Sequence, residues 1–280
     1  MHRCRPLHRR SRAASILALT VCLGIAAFPM AAPAEPASEA SSQPLQEIAL
    51  YEQTQRVIDE VDPLSRLPDL RKYPAGPKRK QAFLELLVPI VEIENRRIAA
   101  QRQWLLALQS RKGGLSRQEA TQLTALCEEY ALECSGQKVP AQLLARVNTV
   151  PLPLVVVQAV EESGWGTSRF ARQGNNLFGL RCFGSECGLA QRGSGRRYQV
   201  FDSVRESVRV YLRNLNTHDA YRQLREQRAR QARQGRKVTA EKLIATLDNY
   251  AVRDDYQDVL LSLLRSNDGL IEQHRSDDTV

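Results

Sequence analysis

The chain has 280 residues, of which 42% are hydrophobic and 25% are charged, and its formal net charge is +9. Five of its 40 basic residues are arginines in the first twelve positions, so residues 35–280 hold 35 basic and 31 acidic side chains. This smaller excess favours a position near an anionic polymer or membrane face without identifying either. Only one apolar run, near the start, approaches the length of a membrane span, so we expect the remainder to be soluble.

Residues 1–34 have the pattern of a secretory signal peptide. The basic stretch MHRCRPLHRRSR precedes the apolar run AASILALTVCLGIAAF, which is too short to span a bilayer comfortably. Small residues at 32–34 predict cleavage there. An uncleaved anchor is one alternative, and a lipoprotein through Cys22 is disfavoured because Val21 stands where a small residue is expected. We therefore expect an exported, periplasmic protein with no stable membrane span once the signal is removed.

The rest of the chain divides by composition. Pro, Ala and Ser dominate the stretch after the signal, and irregularly spaced prolines follow, which indicates a linker with little to bury. The predicted divisions are a linker and irregular segment at 35–77, an N-terminal helical region at 78–138, a C-terminal domain at 139–267 and a polar tail at 268–280.

Two helices are predicted in the N-terminal helical region. Apolar residues recur every three or four positions from residue 78 to about 109, and Pro89 is expected to kink this helix. Ser116 and Glu119 form a capping box that predicts the start of the second helix. Both helices have the pattern of packing elements.

The C-terminal domain begins with two predicted helices, VPAQLLARV and PLPLVVVQAVEE. The second is apolar nearly all round, so we expect it at the centre of the fold. Val155, Gln158 and Glu162 share one stripe of that helix, whereas Glu161 is rotated by about a hundred degrees. Only one of the two adjacent glutamates can therefore lie on this face.

Further elements follow the two glutamates. Gly164 and Gly166 are predicted to end the helix and to permit a close backbone contact. RRYQVF predicts one short strand, a capping box of Ser203 and Glu206 opens another helix, and TAEKLIATLDNY and DDYQDVLLSLLR predict two more. Strands and helices do not alternate, so the predicted fold class is mainly α with a small β element, preceded by N-terminal helices.

Residues 222–237 carry seven basic side chains against Glu226 alone. No aromatic residue interrupts this run, so it lacks a base-stacking surface, and we expect no nucleic-acid partner. We interpret it as a solvated segment that can touch an anionic polymer.

Cys127, Cys134, Cys182 and Cys187 remain after signal removal. Export permits disulfides, and the close spacing suggests local bridges 127–134 and 182–187, although four cysteines allow three pairings. A zinc site is disfavoured because neither spacing is C-x2-C and no histidine adjoins either pair. We expect no metal ion and no cofactor.

A carboxyl group at the end of an apolar helix has the chemistry of a proton donor. Desolvation raises its pKa, which is what a glycosidase needs to protonate a departing sugar oxygen. Trp165 and Phe178 can form an apolar wall or a sugar platform, and Asn175 and Asn176 can bind hydroxyl or amide groups. The alternative is a solvated glutamate beside a core tryptophan.

The stretch QAVEESGWGTSRFARQGNNLFGLRCF resembles bacterial cell-wall glucosaminidases, glycoside hydrolase family 73, whose pattern is Q-A-x-x-E-S-G-W-G followed by N-L-F-G. It is most similar to the Bax-like branch. QAFLELLVPIVEIENRRI, YQVFDSVRESV, LNTHDAY and NYAVRDDY extend the resemblance over roughly residues 78–265.

The resemblance implies a lysozyme-like fold for residues 139–267 and cleavage of the β-1,4 bond on the N-acetylglucosamine side of peptidoglycan, whose glycan strands are the expected partner. It implies that Glu162 is the general acid and that Tyr250 has a catalytic role, although Y-A-V-R-D replaces the commoner Y-A-T-D-P. The residues predicted to bind substrate are Gln158, Trp165, Asn175, Asn176, Phe178 and Tyr198.

Several alternatives stay open at this point. A second catalytic carboxylate has four candidates, Glu186, Asp202, Asp248 and Asp254, unless the substrate's acetamido group takes its place. A lytic transglycosylase using the same glutamate and a non-catalytic glycan-binding module are the rival functions. Serine or cysteine hydrolase chemistry is disfavoured because His218 is expected at a helix end or surface. The oligomeric state is left open.

Overall fold

The computed structural model describes residues 51–58, 60, 64–247, 250 and 254–276, which fall within the compact unit Ser38–Val280. The predicted signal peptide and residues 277–280 lie outside the described residues. None of the helices in this part of the chain combines the length and the apolar composition that crossing a bilayer requires.

The architecture is mainly helical, which confirms the predicted fold class. Residues 51–58 are helical, and 3-10 turns occur at Leu70–Lys72 and Asp219–Tyr221. The α-helices that follow are α1 (Pro77–Ser110), α2 (Arg117–Glu129), α3 (Ala141–Arg146), α4 (Leu152–Ser163), α5 (Arg169–Gly174), α6 (Val204–Thr217), α7 (Arg222–Arg233), α8 (Ala240–Ile244) and α9 (Tyr256–Glu272).

The β element is an antiparallel sheet of three two-residue strands between α5 and α6. The strands are β1 (Arg181–Cys182), β2 (Leu189–Ala190) and β3 (Arg197–Tyr198), in the order β1-β3-β2. The sequence predicted only the arm that contains β3, because two-residue strands are too short to show an alternating pattern. We call helix α5 together with this sheet, residues 169–200, the β-lobe.

Both suggested disulfides are present. Cys127–Cys134 joins the end of α2 to the segment after it, and Cys182–Cys187 closes the loop between β1 and β2. Each bridge is local, with six or fewer residues between its cysteines. The second bridge therefore constrains the outer loop of the β-lobe.

Helix α4 lies at the centre of the fold, as its apolar composition predicted. It packs against α1, α8 and α9, and its residues from Leu154 to Val160 are all buried. Gly164 ends the helix in the left-handed conformation with φ 57°. The predicted glycine stop is thus confirmed.

Helix α1 shares the hydrophobic core of α4. Phe83 and Trp104 are fully buried, and the helix runs on through Pro89, where the predicted kink stays a prediction. Glu94 in α1 is also fully buried, and it forms ion pairs with Arg97 and with Arg205 and Arg209 of α6.

These ion pairs determine the state of the buried carboxylate. Burial raises the pKa of Glu94, but hydrogen bonds and charges of the three guanidinium groups outweigh burial and hold its pKa below the ordinary value. A buried charge is tolerated where several partners satisfy it. Because two of these partners belong to α6, the ion pairs also join α1 to α6.

Two boundaries differ from the expectation. The irregular segment predicted at 35–77 contains the helix at 51–58, because Tyr51 stacks on Trp104 at 5.3 Å and Ile58 is buried. The polar tail predicted from residue 268 begins as the end of α9, because Ile271 is fully buried. In both places a few apolar contacts order a segment whose composition is mostly polar.

The basic run is solvated only in part, since five of its seven basic side chains are exposed and two are buried. Most of the run forms helix α7, and Arg228 within it is only 1% exposed. The Arg228 guanidinium donates to the carbonyl oxygens of Ala145, Asn148 and Thr149 and to Asn216 Oδ1. The composition of a segment shows how many charges it carries. It does not show the acceptors that these charges bind, because the acceptors belong to other parts of the sequence.

We expect Arg228→Leu to lower the free energy of unfolding by about 3 kcal/mol, because it leaves several buried carbonyl groups without a donor. Arg230→Leu removes an exposed arginine from the same helix and should change it by less than about 0.5 kcal/mol. Denaturant unfolding of the two variants measures the difference. Equal effects would contradict the structural role of Arg228.

Candidate active site

Glu162 lies in the last turn of α4, where the buried helix reaches the surface. Its side chain is half-buried, and its Oε1 accepts a hydrogen bond of 3.0 Å from the Tyr256 hydroxyl. Its Oε2 lies against Gly179, where an added Cβ would come within 2.8 Å of that oxygen. The carboxylate is therefore positioned between a phenol and a bare stretch of backbone.

A chain of side-chain hydrogen bonds leads to this carboxylate from the protein interior. The Tyr211 hydroxyl donates to Gln158 Oε1, and Gln158 Nε2 donates to the Tyr256 oxygen at 3.2 Å. Tyr256 in turn donates to Glu162. In each of these three hydrogen bonds the acceptor is closer than the donor to Glu162 along the series. All three hydrogen atoms are therefore directed toward the carboxylate.

Gln158 was predicted to contact substrate, but the structure places it inside the protein. Its side chain is fully buried, and both ends of its amide are bonded to tyrosines. It lies one turn before Glu162 on the same stripe of α4, as the helical spacing predicted. Its position lets it act on Glu162 through Tyr256.

Four tyrosines surround the carboxylate: Tyr211, Tyr221, Tyr250 and Tyr256. Burial is the first cause that raises the pKa of each phenol, and the negative charge of Glu162 raises it further. Their rings also contact one another, and Tyr250 stacks on Tyr256 with centroids 5.4 Å apart. These phenols consequently keep their protons near neutral pH, and Tyr211, Tyr250 and Tyr256 donate hydrogen bonds.

Tyr250 connects this cluster to the backbone beside Glu162. Its side chain is half-buried, and its hydroxyl donates to the carbonyl oxygen of Phe178 at 2.9 Å. Phe178 directly precedes Gly179, which touches the carboxylate. The predicted helix TAEKLIATLDNY ends earlier than expected, at Ile244, so Tyr250 does not close it.

The Asn175–Asn176 pair binds backbone groups. Asn175 ends α5 with φ 51°, accepts from the Leu67 amide and donates to the Ser65 and Phe201 carbonyl oxygens. Both side chains are buried. The pair therefore fixes the path of the loop between α5 and the sheet, and its predicted contact with substrate stays a prediction.

Asn176 has the same kind of role at the base of the β-lobe. Its Oδ1 accepts from the Leu180 amide, and its Nδ2 donates to the carbonyl oxygens of Leu180 and Gln199. These bonds bring the two ends of the sheet region together. Leu180 directly follows Gly179, so the sheet of the β-lobe begins beside the carboxylate.

The three predicted aromatic contacts differ in exposure. Phe178 is buried beneath the site, where it stacks on Tyr211. Trp165 and Tyr198 are half-buried. The Lys80 ammonium lies 5.1 Å from the Trp165 ring, and the Tyr198 ring stacks on an α5 side chain at 4.1 Å. Trp165 and Tyr198 thus keep aromatic surface that a ligand can contact.

The candidate second carboxylates that the structure describes do not form a buried pair with Glu162. Glu186, Asp202 and Asp254 are exposed, and Asp248 lies outside the described residues. His218 caps the 3-10 turn after α6, at a helix end as expected. In the part of the chain that the structure describes, His, Cys, Asp and Glu side chains do not gather in threes as a metal site requires.

A cavity of about 620 Å³ opens at the other end of α4. Leu152, Arg228 and Arg275 are among its lining residues, and Glu162 is not. Its volume is enough for a small ligand. Arg228, the most buried cation of this cavity, is already bonded to backbone carbonyl oxygens. We therefore favour Glu162 as the site, where a helix-end carboxylate meets a phenol donor and a glycine.

Residues 139–269 match the glucosaminidase family model, described as mannosyl-glycoprotein endo-beta-N-acetylglucosaminidase. Protein bax of Escherichia coli strain K12 is 41% identical to this chain over 214 residues, which are 75% of this chain and 77% of that protein. This chain belongs to the glucosaminidase family of glycoside hydrolases. The alignment with the E. coli protein is longer than the matched segment, so the similarity extends beyond the glucosaminidase domain.

Two other proteins are similar to this chain at lower sequence identity. Peptidoglycan hydrolase FlgJ of Salmonella typhimurium is 28% identical over 143 residues, which are 48% of this chain and 45% of that protein. The catalytic domain of the autolysin Auto from Listeria monocytogenes has 17% identity and a TM-score of 0.37, covering 76% of this glucosaminidase and 99% of that chain.

Two residues of this candidate site were missed by sequence reasoning. Tyr256 is the last residue of the stretch NYAVRDDY, six positions after Tyr250, and was interpreted only as the start of a helix. Gly179 ends N-L-F-G, where its φ of 64° and its contact with Glu162 both require the absence of a side chain. A tyrosine at the start of the buried face of an amphipathic helix is a signal that could have identified Tyr256.

We expect Gly179→Ala to lower glycosidase activity about 100-fold, because the added methyl group would displace the Glu162 carboxylate. Gly235→Ala is a matched control, since Gly235 has φ 63° and no atom within 4 Å of an added Cβ. Both variants incur the same backbone strain of about 1 kcal/mol. Activity and thermal unfolding of both variants test this, and equal activities would contradict the contact.

Proposed function

We propose that this glucosaminidase is an exported enzyme that hydrolyses the β-1,4 bond on the N-acetylglucosamine side of peptidoglycan, with Glu162 as general acid. The observation that carries the proposal is the position of the Glu162 carboxylate between the Tyr256 hydroxyl and Gly179. The similarity to a protein named peptidoglycan hydrolase supports the substrate. Two disulfides support export, since they form in oxidising compartments.

The position of Glu162 suits it to proton donation. It stands in the last turn of a buried helix and accepts a hydrogen bond from the Tyr256 hydroxyl. The protonated carboxyl donates its proton to the glycosidic oxygen as the bond to the anomeric carbon breaks. Tyr256 then stabilises the carboxylate that remains, and water supplies the hydroxyl group at the anomeric carbon.

The second catalytic role is assigned to the acetamido group of the substrate, because the candidate carboxylates that the structure describes are exposed. Tyr250 can position that group. Its hydroxyl hydrogen is bonded to the Phe178 carbonyl oxygen, so its oxygen is left as an acceptor for the acetamido N–H. Trp165 and Tyr198 supply aromatic surface for sugar rings.

Glu162→Gln should abolish peptidoglycan cleavage while preserving the fold, whereas Glu161→Gln should keep most activity. General acid catalysis contributes about a hundred- to ten-thousand-fold, so the contrast should be large. A zymogram on purified peptidoglycan with mass analysis of the products measures it. Reducing N-acetylglucosamine ends are the expected products of the unaltered enzyme.

Other products would identify the rival functions. Anhydro-muramic ends would show a lytic transglycosylase that uses the same carboxylate. Glycan binding without any cleavage, unchanged in Glu162→Gln, would show a binding module. Equal activity of Glu161→Gln and Glu162→Gln would overturn the assignment of the acid.

Tyr256→Phe and Tyr250→Phe should lower activity to different extents. Loss of the Tyr256 hydroxyl removes a hydrogen bond to the Glu162 carboxylate itself, so kcat should fall about a hundredfold. Tyr250→Phe removes a bond to the neighbouring backbone and should lower kcat about tenfold. Steady-state rates and thermal unfolding of both variants measure this, and a wild-type rate in either variant would contradict its positioning role.

A further inference from the structure

The positive charge of the exported chain is concentrated in the β-lobe. Residues 169–200 contain six arginines and one acidic residue, Glu186. The remainder of residues 35–280 holds 29 basic and 30 acidic side chains. One short segment therefore accounts for the whole excess of positive charge.

Three of these arginines are not neutralised within the described structure. Arg181, Arg192 and Arg196 are exposed, and no carboxylate forms an ion pair with them. Backbone carbonyl oxygens accept hydrogen bonds from the other three: Arg169, Arg172 and Arg197. The first group is therefore available to an anionic ligand.

An exposed aromatic ring accompanies these charges. Phe183 is 87% exposed in the loop closed by the Cys182–Cys187 bridge, and the Arg181 guanidinium lies 5.5 Å from its ring centroid. The bridge restricts the loop before any ligand arrives, which lowers the entropy lost on binding. A restrained apolar group beside unpaired cations fits a ligand with both carboxylates and apolar side chains.

The β-lobe adjoins the proposed acid. Gly179 contacts the Glu162 carboxylate, and β1 begins two residues later with Arg181. Asn176 bonds to backbone on both sides of the sheet region at that point. A glycan strand held at Glu162 consequently presents its substituents near the lobe.

We propose that the β-lobe binds the carboxylate-bearing peptide substituents of the glycan strand and makes the enzyme select peptide-bearing strands over bare ones. This inference rests on the proposed function and deepens it. Arginines pair well with carboxylates, and Phe183 offers contact to apolar peptide side chains. The neutral part of a sugar chain requires neither feature.

The test compares two triple variants on two substrates. One variant combines Arg181→Gln, Arg192→Gln and Arg196→Gln. The substrates are soluble peptide-bearing strands and the same strands after an amidase has removed the peptides. Exposed ion pairs each contribute a small factor, so three losses should raise KM about tenfold on peptide-bearing strands and less than about twofold on bare strands, with kcat unchanged.

The control variant combines Arg117→Gln, Arg230→Gln and Arg233→Gln, which neutralises three exposed arginines of α2 and α7. It should leave both KM values within about twofold of the unaltered enzyme. For the unaltered enzyme, 0.5 M NaCl should reduce the preference for peptide-bearing strands, because salt screens exposed charges. Equal changes on both substrates, or no change on either, would overturn the proposal.

Binding separates this inference from the proposed function. Dissociation constants are measured for the same strands with Glu162→Gln, alone and combined with each triple variant. A tenfold loss confined to peptide-bearing strands supports the β-lobe even if the unaltered protein cleaves nothing. Equal cleavage of peptide-bearing and bare strands would agree with the proposed function and would contradict the selection of peptide-bearing strands. Loss of binding to phosphatidylglycerol vesicles with strand binding intact would show a membrane-contacting surface instead.

Discussion

The burial of helix α4 on every side is the constraint on which the rest of the structure depends. A helix that is apolar all round must be enclosed, and α1, α8 and α9 provide that enclosure. The helix can reach solvent only at an end. Glu162 stands in its last turn, before Gly164 reverses the chain. The core therefore determines where the carboxylate emerges, and packing of α9 brings Tyr256 to meet it.

The carboxylate and its tyrosines depend on each other electrostatically. The charge of Glu162 adds to burial in raising the pKa of Tyr256, so the phenol retains its proton and remains a donor. That donor in turn stabilises the charged carboxylate. Gln158 fixes the orientation of the Tyr256 hydroxyl from behind, inside the core. The groups that the proposed function assigns to proton donation are thus positioned before any substrate arrives.

Local patterns were sufficient for much of the fold but not for the contacts around the acid. The capping box at Ser116, the end of α4 and the choice of the stripe bearing Glu162 depend on residues within one or two turns, so the sequence predicted them. Arg228 and Tyr256 act on partners about 80 to 90 residues away, which periodicity does not register. Composition likewise showed the charge of α7 without its acceptors.

The buried Glu94 cluster defines how much of the chain must fold together. Arg205 and Arg209 lie inside the segment that matches the family, but their counter-charge is in α1, outside it. A fragment cut to residues 139–269 would keep both arginines and lose the carboxylate between them, together with the apolar surface of Phe83 and Trp104. The smallest autonomous piece of this enzyme is accordingly larger than its recognisable domain, and any truncation or domain graft must carry α1 with it.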